Sequence, residues 1–394
     1  MKKIFGWIFL RLIAVAACAA LAVYIYPLHL ESVVEGKAES AEIEISDVLP
    51  LELVSGPWGY GHCQGIAVDE ANGWVYYSFT TALVKTDFEG NMLGSVVGLY
   101  GHLGCIEFNE ADGKVYGSLE YKFDEIGQGV AEITGEKVQT EGFYIAIFDS
   151  AAIDRVDMDA SSDGVMKTVY MAEVYEDYSA VVENEGVQVQ HRYGCGGIDG
   201  VSFGPIPGSD DGKQYIFMSY GVYEDNTRTD NDHMIMLCYD ISDWDQYAQP
   251  MDQGSMHTSG PGEPLHKYFV FTGNTRYGVQ NLEYDAYNNT YIMAVYRGSK
   301  PGFPNNPLYI VDASVPAYVD EEGREMLTLV KDGESHRSGV YSWNFDQGAY
   351  GIHAFGDGTY YIAQRETSDS GESARIWLFK WDGKRVPMRR VMER

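Results

Sequence analysis

Gly61-His62-Cys63-Gln64-Gly65-Ile66-Ala67-Val68-Asp69-Glu70-Ala71-Asn72-Gly73 and Gly101-His102-Leu103-Gly104-Cys105-Ile106-Glu107-Phe108-Asn109-Glu110-Ala111-Asp112-Gly113 lie forty residues apart and nearly superimpose. Each reads as a short strand, a turn marked by Asn-Gly or Asp-Gly, and a second strand, at 74–78 and 114–118. Asn-Gly and Asp-Gly supply the positive φ that tight hairpin turns need, so both segments are predicted to be β-hairpins.

The same unit recurs more loosely as 200–203 before 213–220, 281–285 before 290–296, and 351–355 before 359–364, which makes five units. Third strands are predicted at 83–87, 144–149, 234–240, 308–312 and 376–381, and fourth strands at 93–98, 168–174, 268–272 and 326–330. A period of about 40 residues built from hairpins is the signature of propeller blades. The fold predicted over 49–394 is therefore an all-β, five-bladed β-propeller, with six blades as the alternative. Composition agrees: 44 Gly, 30 Tyr and 13% aromatic residues suit many short strands between tight turns. Leu53-Val54-Ser55-Gly56 before Gly61-His62 mirrors Val96-Val97-Gly98 before Gly101-His102. Residues 50–56 are thus expected to donate a fourth strand to the last blade and close the ring, with 385–392 competing for that place.

The formal charge of −30, from 58 acidic against 28 basic residues, repels phosphate backbones and disfavours nucleic-acid partners. At the N-terminus Lys2 and Lys3 precede an apolar run over 4–26, broken by Arg11 and ended by Pro27. That run is long enough to cross a bilayer, and the lysines hold its start in the cytoplasm. Residues 1–27 are expected to be a signal anchor, 28–48 a spacer, and the rest an extracytoplasmic domain tethered to the membrane. The alternatives are a cleaved signal and a lipoprotein, since Val15-Ala16-Ala17-Cys18 resembles a lipobox with Cys18 as the acylated residue. Cys63, Cys105, Cys195 and Cys238 match no metal-knuckle spacing. They are either disulfide-bonded, with a bridge among the first three, or buried free thiols.

Over 50–394 the chain resembles propellers of the NHL, strictosidine-synthase and gluconolactonase kind, on the blade opening Gly65-Ile66-Ala67-Val68-Asp69 followed by Asn72-Gly73 and a strand. That resemblance implies the fold. Its families include hydrolases, lactonases and pure binding modules, so it leaves the activity open. A narrower likeness is to plant-type glutaminyl cyclases, also five-bladed, on Gln64-Gly65 and Leu282-Glu283-Tyr284, while His62-Cys63 departs from that pattern. It implies Glu283 as a proton shuttle between an N-terminal amine and departing ammonia.

In a propeller the first strand of each blade lines the central channel. Aligning the units puts Gln64, Gly104, Asp199, Gln280 and Tyr350 at one level, and Ala67, Glu107, Ser202, Glu283 and His353 at the next. His62 and His102 enter from the preceding turns. Candidate ligand-binding residues are therefore His62, Gln64, His102, Asp199, Gln280 and His353, joined at the strand ends by Tyr121, Arg297 and Arg365. Glu107, Glu283 and His353 are candidate metal ligands, for Ca²⁺ in the first instance, and Glu107 and Glu283 are candidate catalytic carboxylates. Two glutamates facing each other need either a cation or a shared proton. A zinc site of His62, His102 and His353 lacks any ligand-spacing signature. The acidic run 225–232 lacks the central Gly and distal Glu of an EF-hand. Loops at 120–142, 221–233, 297–307 and 365–374 are long and share one face with the channel mouth. No nucleophile elbow, P-loop, dinucleotide fingerprint or zincin motif occurs.

The leading expectation is a membrane-anchored propeller that binds a small molecule or peptide at its channel mouth. Three alternatives stand beside it: a metal-dependent hydrolase or lactonase, a glutaminyl-cyclase-like transferase, and a scaffold for protein partners in the envelope.

Overall fold

The computed structural model describes residues 48–273 and 276–393. The expected anchor over 1–27, Cys18 and nearly all of the spacer lie outside the described residues. Among the described residues no helix is long and apolar enough to cross a membrane.

Five sheets whose blade strands pair antiparallel, one sheet per sequence unit, follow one another along the chain. Blade one is Cys63–Asp69, Trp74–Phe79, Ala82–Asp87 and Met92–Val97; blade two is His102–Asn109, Lys114–Tyr121, Gly142–Asp149 and Met166–Tyr170. Blade three is Cys195–Gly204, Tyr215–Val222, His233–Tyr239 and His266–Phe271. Blade four is Arg276–Asp285, Thr290–Tyr296 and Leu308–Asp312, and blade five is Ile352–Ala354, Thr359–Ser368 and Gly371–Trp381. The remaining described sheets are two-stranded hairpins, Val181–Asn184 with Val187–Gln190 and Glu334–Ser335 with Tyr341–Ser342, so the count is five blades and not six.

Both chain ends close the ring. Glu52–Val54 pairs with one half of the outer strand of blade five, Glu52 opposite Trp377 and Val54 opposite Arg375, and Met388–Arg390 pairs with the other half, Phe379 opposite Arg390. The two segments that competed for this place on sequence grounds share it, because that strand is eleven residues long and each end covers only three.

Three expected elements differ. The strand predicted over 168–174 ends at Tyr170, and Ala172–Ser179 forms a helix whose buried residues Val174, Asp177 and Tyr178 fall at helical spacing. The strand predicted over 326–330 is split: Glu325–Met326 runs parallel to the outer strand of blade three, while the Val330 N–H donates to Ile310 O of blade four at 2.8 Å. The segment 365–374 is no loop, because its two strands stay paired as far as Ser368 opposite Gly371.

Apolar faces of neighbouring blades make the core. One cluster joins Tyr76 and Leu83 of blade one to Ile106 and Ala146 of blade two; others join blades two with three, three with four and four with five, the last around fully buried Trp343. Innermost strands crowd near the axis. A Cβ on Gly65 would sit 3.0 Å from Cys105 Cα and Ile106 N, so the glycine of the recurring opening is there for close approach. The four described cysteines are free and buried, so of the two alternatives the structure shows the buried thiols and not a disulfide. Burial pushes the Cys63 and Cys105 thiols up to about 12, and they pack as small apolar side chains.

Candidate functional site

The innermost strands begin at one face of the ring, and there they surround a cavity of about 900 Å³. Its floor carries Gln64, Asp199 and Gln280, with Tyr350 beside them: four of the five residues that the sequence alignment put at one level. The fifth is Gly104, where a Cβ would meet Ser118 Oγ at 2.4 Å, so that position leaves room for Asp199 from the next blade. His62, His102, Arg297 and Arg365 also line the cavity.

One wall is aromatic. His62, Tyr350, Tyr296 and Tyr277 form a chain of edge contacts, with centroids 6.3, 5.9 and 5.9 Å apart. The opposite wall is the helix Glu125–Thr134, which presents Ile126, Val130 and Ile133 to the cavity at one-turn spacing. Asp124 caps this helix by accepting from the Ile126 and Gly127 N–H groups, and left-handed Gly135 ends it. Tyr223 donates to Asp124 Oδ2 at 2.5 Å and ties the helix start to blade three.

A buried charge cluster forms part of this floor, with Lys122, Asp124, His102 and Asp199 lining the cavity and Glu120 behind them. Lys122 Nζ stands 2.6 Å from Glu120 Oε1 and 3.5 Å from Asp124 Oδ2, and donates to Gly196 O at 2.7 Å. Burial opposes the lysine's charge, yet Glu120, Asp124 and Asp199 outweigh it and hold the ammonium protonated. His102 Nδ1 lies 3.5 Å from Glu120 Oε1. Gln280 donates to Asp199 Oδ2 at 3.2 Å. Burial first, and then the charge of Glu120, push the Asp199 carboxyl up to about 7 against the opposing pull of His102 and Lys122. Burial, Arg365 and His102 push His62 down to about 4, so its imidazole is neutral and Nε2 accepts from the Gln64 amide at 3.1 Å. Gly197, at φ 115°, completes the cluster, since a Cβ there would lie 2.0 Å from Glu120 Oε2.

Glu107, Glu283 and His353 meet elsewhere, one level further along the channel and away from the cavity lining. Glu283 hydrogen-bonds to Glu107, its Oε1 accepts from the Ala354 N–H at 2.6 Å, and His353 Nδ1 is 4.0 Å from the same oxygen. Burial and then the charge of Glu107 raise Glu283 well above the ordinary glutamate range. Burial raises Glu107 as well, so one proton held between the two carboxylates, with Glu283 as donor, is the state this pair favours. Among the described residues, the group of three ligand atoms lying within 4.8 Å of one another is His102, Glu120 and Asp199, a second set beside the Glu107, Glu283 and His353 named from the sequence.

The shared proton makes a pH signature. An unfolded glutamate ionises near its ordinary value of about 4.3, whereas folded Glu283 keeps its proton above that. The pair therefore supports folding fully below pH about 4.3 and loses its contribution as pH rises through the folded value. Glu283→Gln retains an N–H donor for Glu107 and has no proton to lose. Its stability in urea is expected to be flatter between pH 5 and 8, the wild type falling by about 1.4 kcal/mol per pH unit inside the window. Parallel slopes would contradict the shared proton.

Tyr121 does not reach the mouth. Strand alternation points Glu120 and Lys122 to the site and Tyr121 to the blade interface, where its hydroxyl donates to Gln253 Oε1 at 3.1 Å. Arg365 is engaged by Glu372 through two bonds of 2.8 and 2.7 Å, and Arg297 by Asp346 and Asn344. These arginines balance acidic neighbours on the rim. In the acidic run 225–232, Arg228 bonds Asp230 and Lys300 bonds Asp232, so internal cations cross-link that loop. Sequence reasoning missed Glu120, Lys122, Asp124 and the helical wall. The signal available was three charged residues at alternate positions, Glu120 near the end of the strand Lys114–Tyr121 and Lys122 and Asp124 just past it.

No protein-family profile matches this chain, and no curated protein sequence does. Among solved structures it is similar to the soluble aldose sugar dehydrogenase of Escherichia coli, at 10% identity over 82% of this chain and 99% of that one, with a TM-score of 0.36. It is also similar to the PQQ domain of pyranose dehydrogenase from Coprinopsis cinerea, at 13% identity over 79% and 81%, TM-score 0.33. A functionally unknown protein from Desulfotomaculum acetoxidans gives 9% identity over 84% and 69%, TM-score 0.32.

Proposed function

We propose that this propeller binds a small molecule at its channel mouth. The observation that carries the reading is the cavity of about 900 Å³ on which polar side chains of all five blades converge between an aromatic wall and an apolar helical wall. A concave apolar site with few, fixed polar groups is what small-ligand recognition requires. The lining fits a ligand with a ring or apolar body, packed between Tyr296, Tyr350 and Val130, and hydrogen-bonding groups directed at Gln64, Gln280 and Asp199. A free peptide terminus satisfies the same description. Glu283 takes no part, because Glu107 and the Ala354 N–H occupy it, and this weighs against cyclase-like chemistry. The apolar run over 4–26 tethers the domain to a membrane, with the propeller on the outer side.

The test is thermal unfolding of the purified full chain with a panel of sugars, nucleosides, amino acids and short peptides. A ligand at a hundred times its Kd stabilises the native state by about 2.7 kcal/mol, so at least one class is expected to raise the midpoint by several degrees. Indifference to every class would defeat the reading.

A further inference from the structure

His102, Glu120 and Asp199 bring one imidazole nitrogen and two carboxylate oxygens within 4.8 Å of one another, with His102 and Asp199 on the cavity floor and Glu120 behind them. His102 is only 8% exposed, and its Nδ1 has no hydrogen-bond partner although it points at Glu120 across 3.5 Å. A buried polar nitrogen without a partner is destabilising unless something else engages it. We propose that these three residues bind a divalent transition-metal ion that faces the cavity.

The ligands sit on rigid elements. His102 opens the innermost strand of blade two and Glu120 lies directly opposite it in the ladder, while Asp199 falls in the register shift between Ile198 and Val201 of blade three. Bulges of this kind re-aim a side chain next to a site. Lys122 Nζ holds Glu120 Oε1, and the Ile198 N–H donates to Oε2 at 3.3 Å, so the carboxylate is oriented from behind as outer partners orient metal ligands. Glu120, Asp199, Asp124 and Lys122 together leave this cluster with two net negative charges, which a dication neutralises. A nitrogen among three donors selects Zn²⁺ or Mn²⁺ over Ca²⁺, which takes oxygen ligands in greater number. With three protein ligands, further coordination positions are open to the cavity, as in metal sites that bind or polarise a small ligand. That last role rests on the mouth being the ligand site; the binding of the ion does not.

Calorimetric titration of the chelator-treated full chain with ZnCl₂, MnCl₂ and CaCl₂ tests the site. One equivalent of Zn²⁺ or Mn²⁺ is expected to bind at least tenfold tighter than Ca²⁺. His102→Ala and Asp199→Asn should each weaken it at least tenfold, while exposed Asp211→Asn should not. Co²⁺ gives a second readout that a merely structural role would not move: visible d–d bands in the wild type, lost in both variants. The proposal is overturned if no ion binds, if Ca²⁺ binds as tightly, or if both variants keep the wild-type affinity. Ion binding with no response to the organic panel would defeat the small-molecule reading alone, and the converse would defeat the metal alone.

Discussion

Lys122→Met is expected to cost about 3–5 kcal/mol in urea unfolding at pH 8, the range seen when one partner of a buried ion pair is removed. Lys122 and Glu120 each expose only 2% of their side chains, so water cannot replace the lost ammonium. The substitution also removes the donor to Gly196 O and leaves Glu120, Asp124 and Asp199 with no internal cation among them. The loss should shrink toward pH 5, because carboxylates crowded together without a cation take up protons and cease to repel. A loss under about 1 kcal/mol at pH 8 would mean that the pair behaves like an exposed surface bridge, against its burial.

Deleting residues 50–55 from the otherwise full chain is expected to cost about 5 kcal/mol. Leu53, 5% exposed, contributes about 2 kcal/mol by burial. Hydrogen bonds at about 1 kcal/mol each bring the cost to that figure or above it, among them Ser55 N–H to Ala374 O, Ala374 N–H to Ser55 Oγ, Leu378 N–H to Leu51 O and the Tyr361 hydroxyl to Pro50 O. The deletion also bares half of the outer edge of blade five, which invites intermolecular pairing. Thermal unfolding with light scattering should show a midpoint lowered by ten degrees or more on the order of 2 °C per kcal/mol, with aggregation on heating. An unchanged midpoint would mean that Met388–Arg390 closes the ring alone.

The architecture was legible because a propeller repeats its instructions. One hairpin spelled clearly at 61–73 and 101–113 was enough to find three weaker copies, and aligning them placed Gln64, Asp199, Gln280 and Tyr350 around one cavity. What escaped lies where the repeat is interrupted. The helix Glu125–Thr134 sits in an insertion without counterpart in the other blades, and its two glycines, Gly127 and Gly129, hide its helical period. Lys122 was invisible as a site residue because a lone lysine after a strand reads as solvated surface, and only tertiary packing buries it under Glu120. Tyr121 was misplaced for the complementary reason: its position at the strand end was right, but alternation sends it to the other face. The pairing of Glu107 with Glu283 across the channel followed from the alignment, whereas its separation from the cavity depended on the depth of the second level, which spacing along the chain does not give.

The measurement that bears most directly on the mouth as the ligand site is a calorimetric titration of whichever panel compound raises the midpoint most. It would compare wild type, the double variant Gln280→Ala with Tyr350→Ala, and Glu107→Gln from the level below. Loss of at least tenfold in affinity for the double variant, about 1.4 kcal/mol or more, with wild-type affinity for Glu107→Gln, is the expected result. Undiminished affinity in the double variant would contradict it.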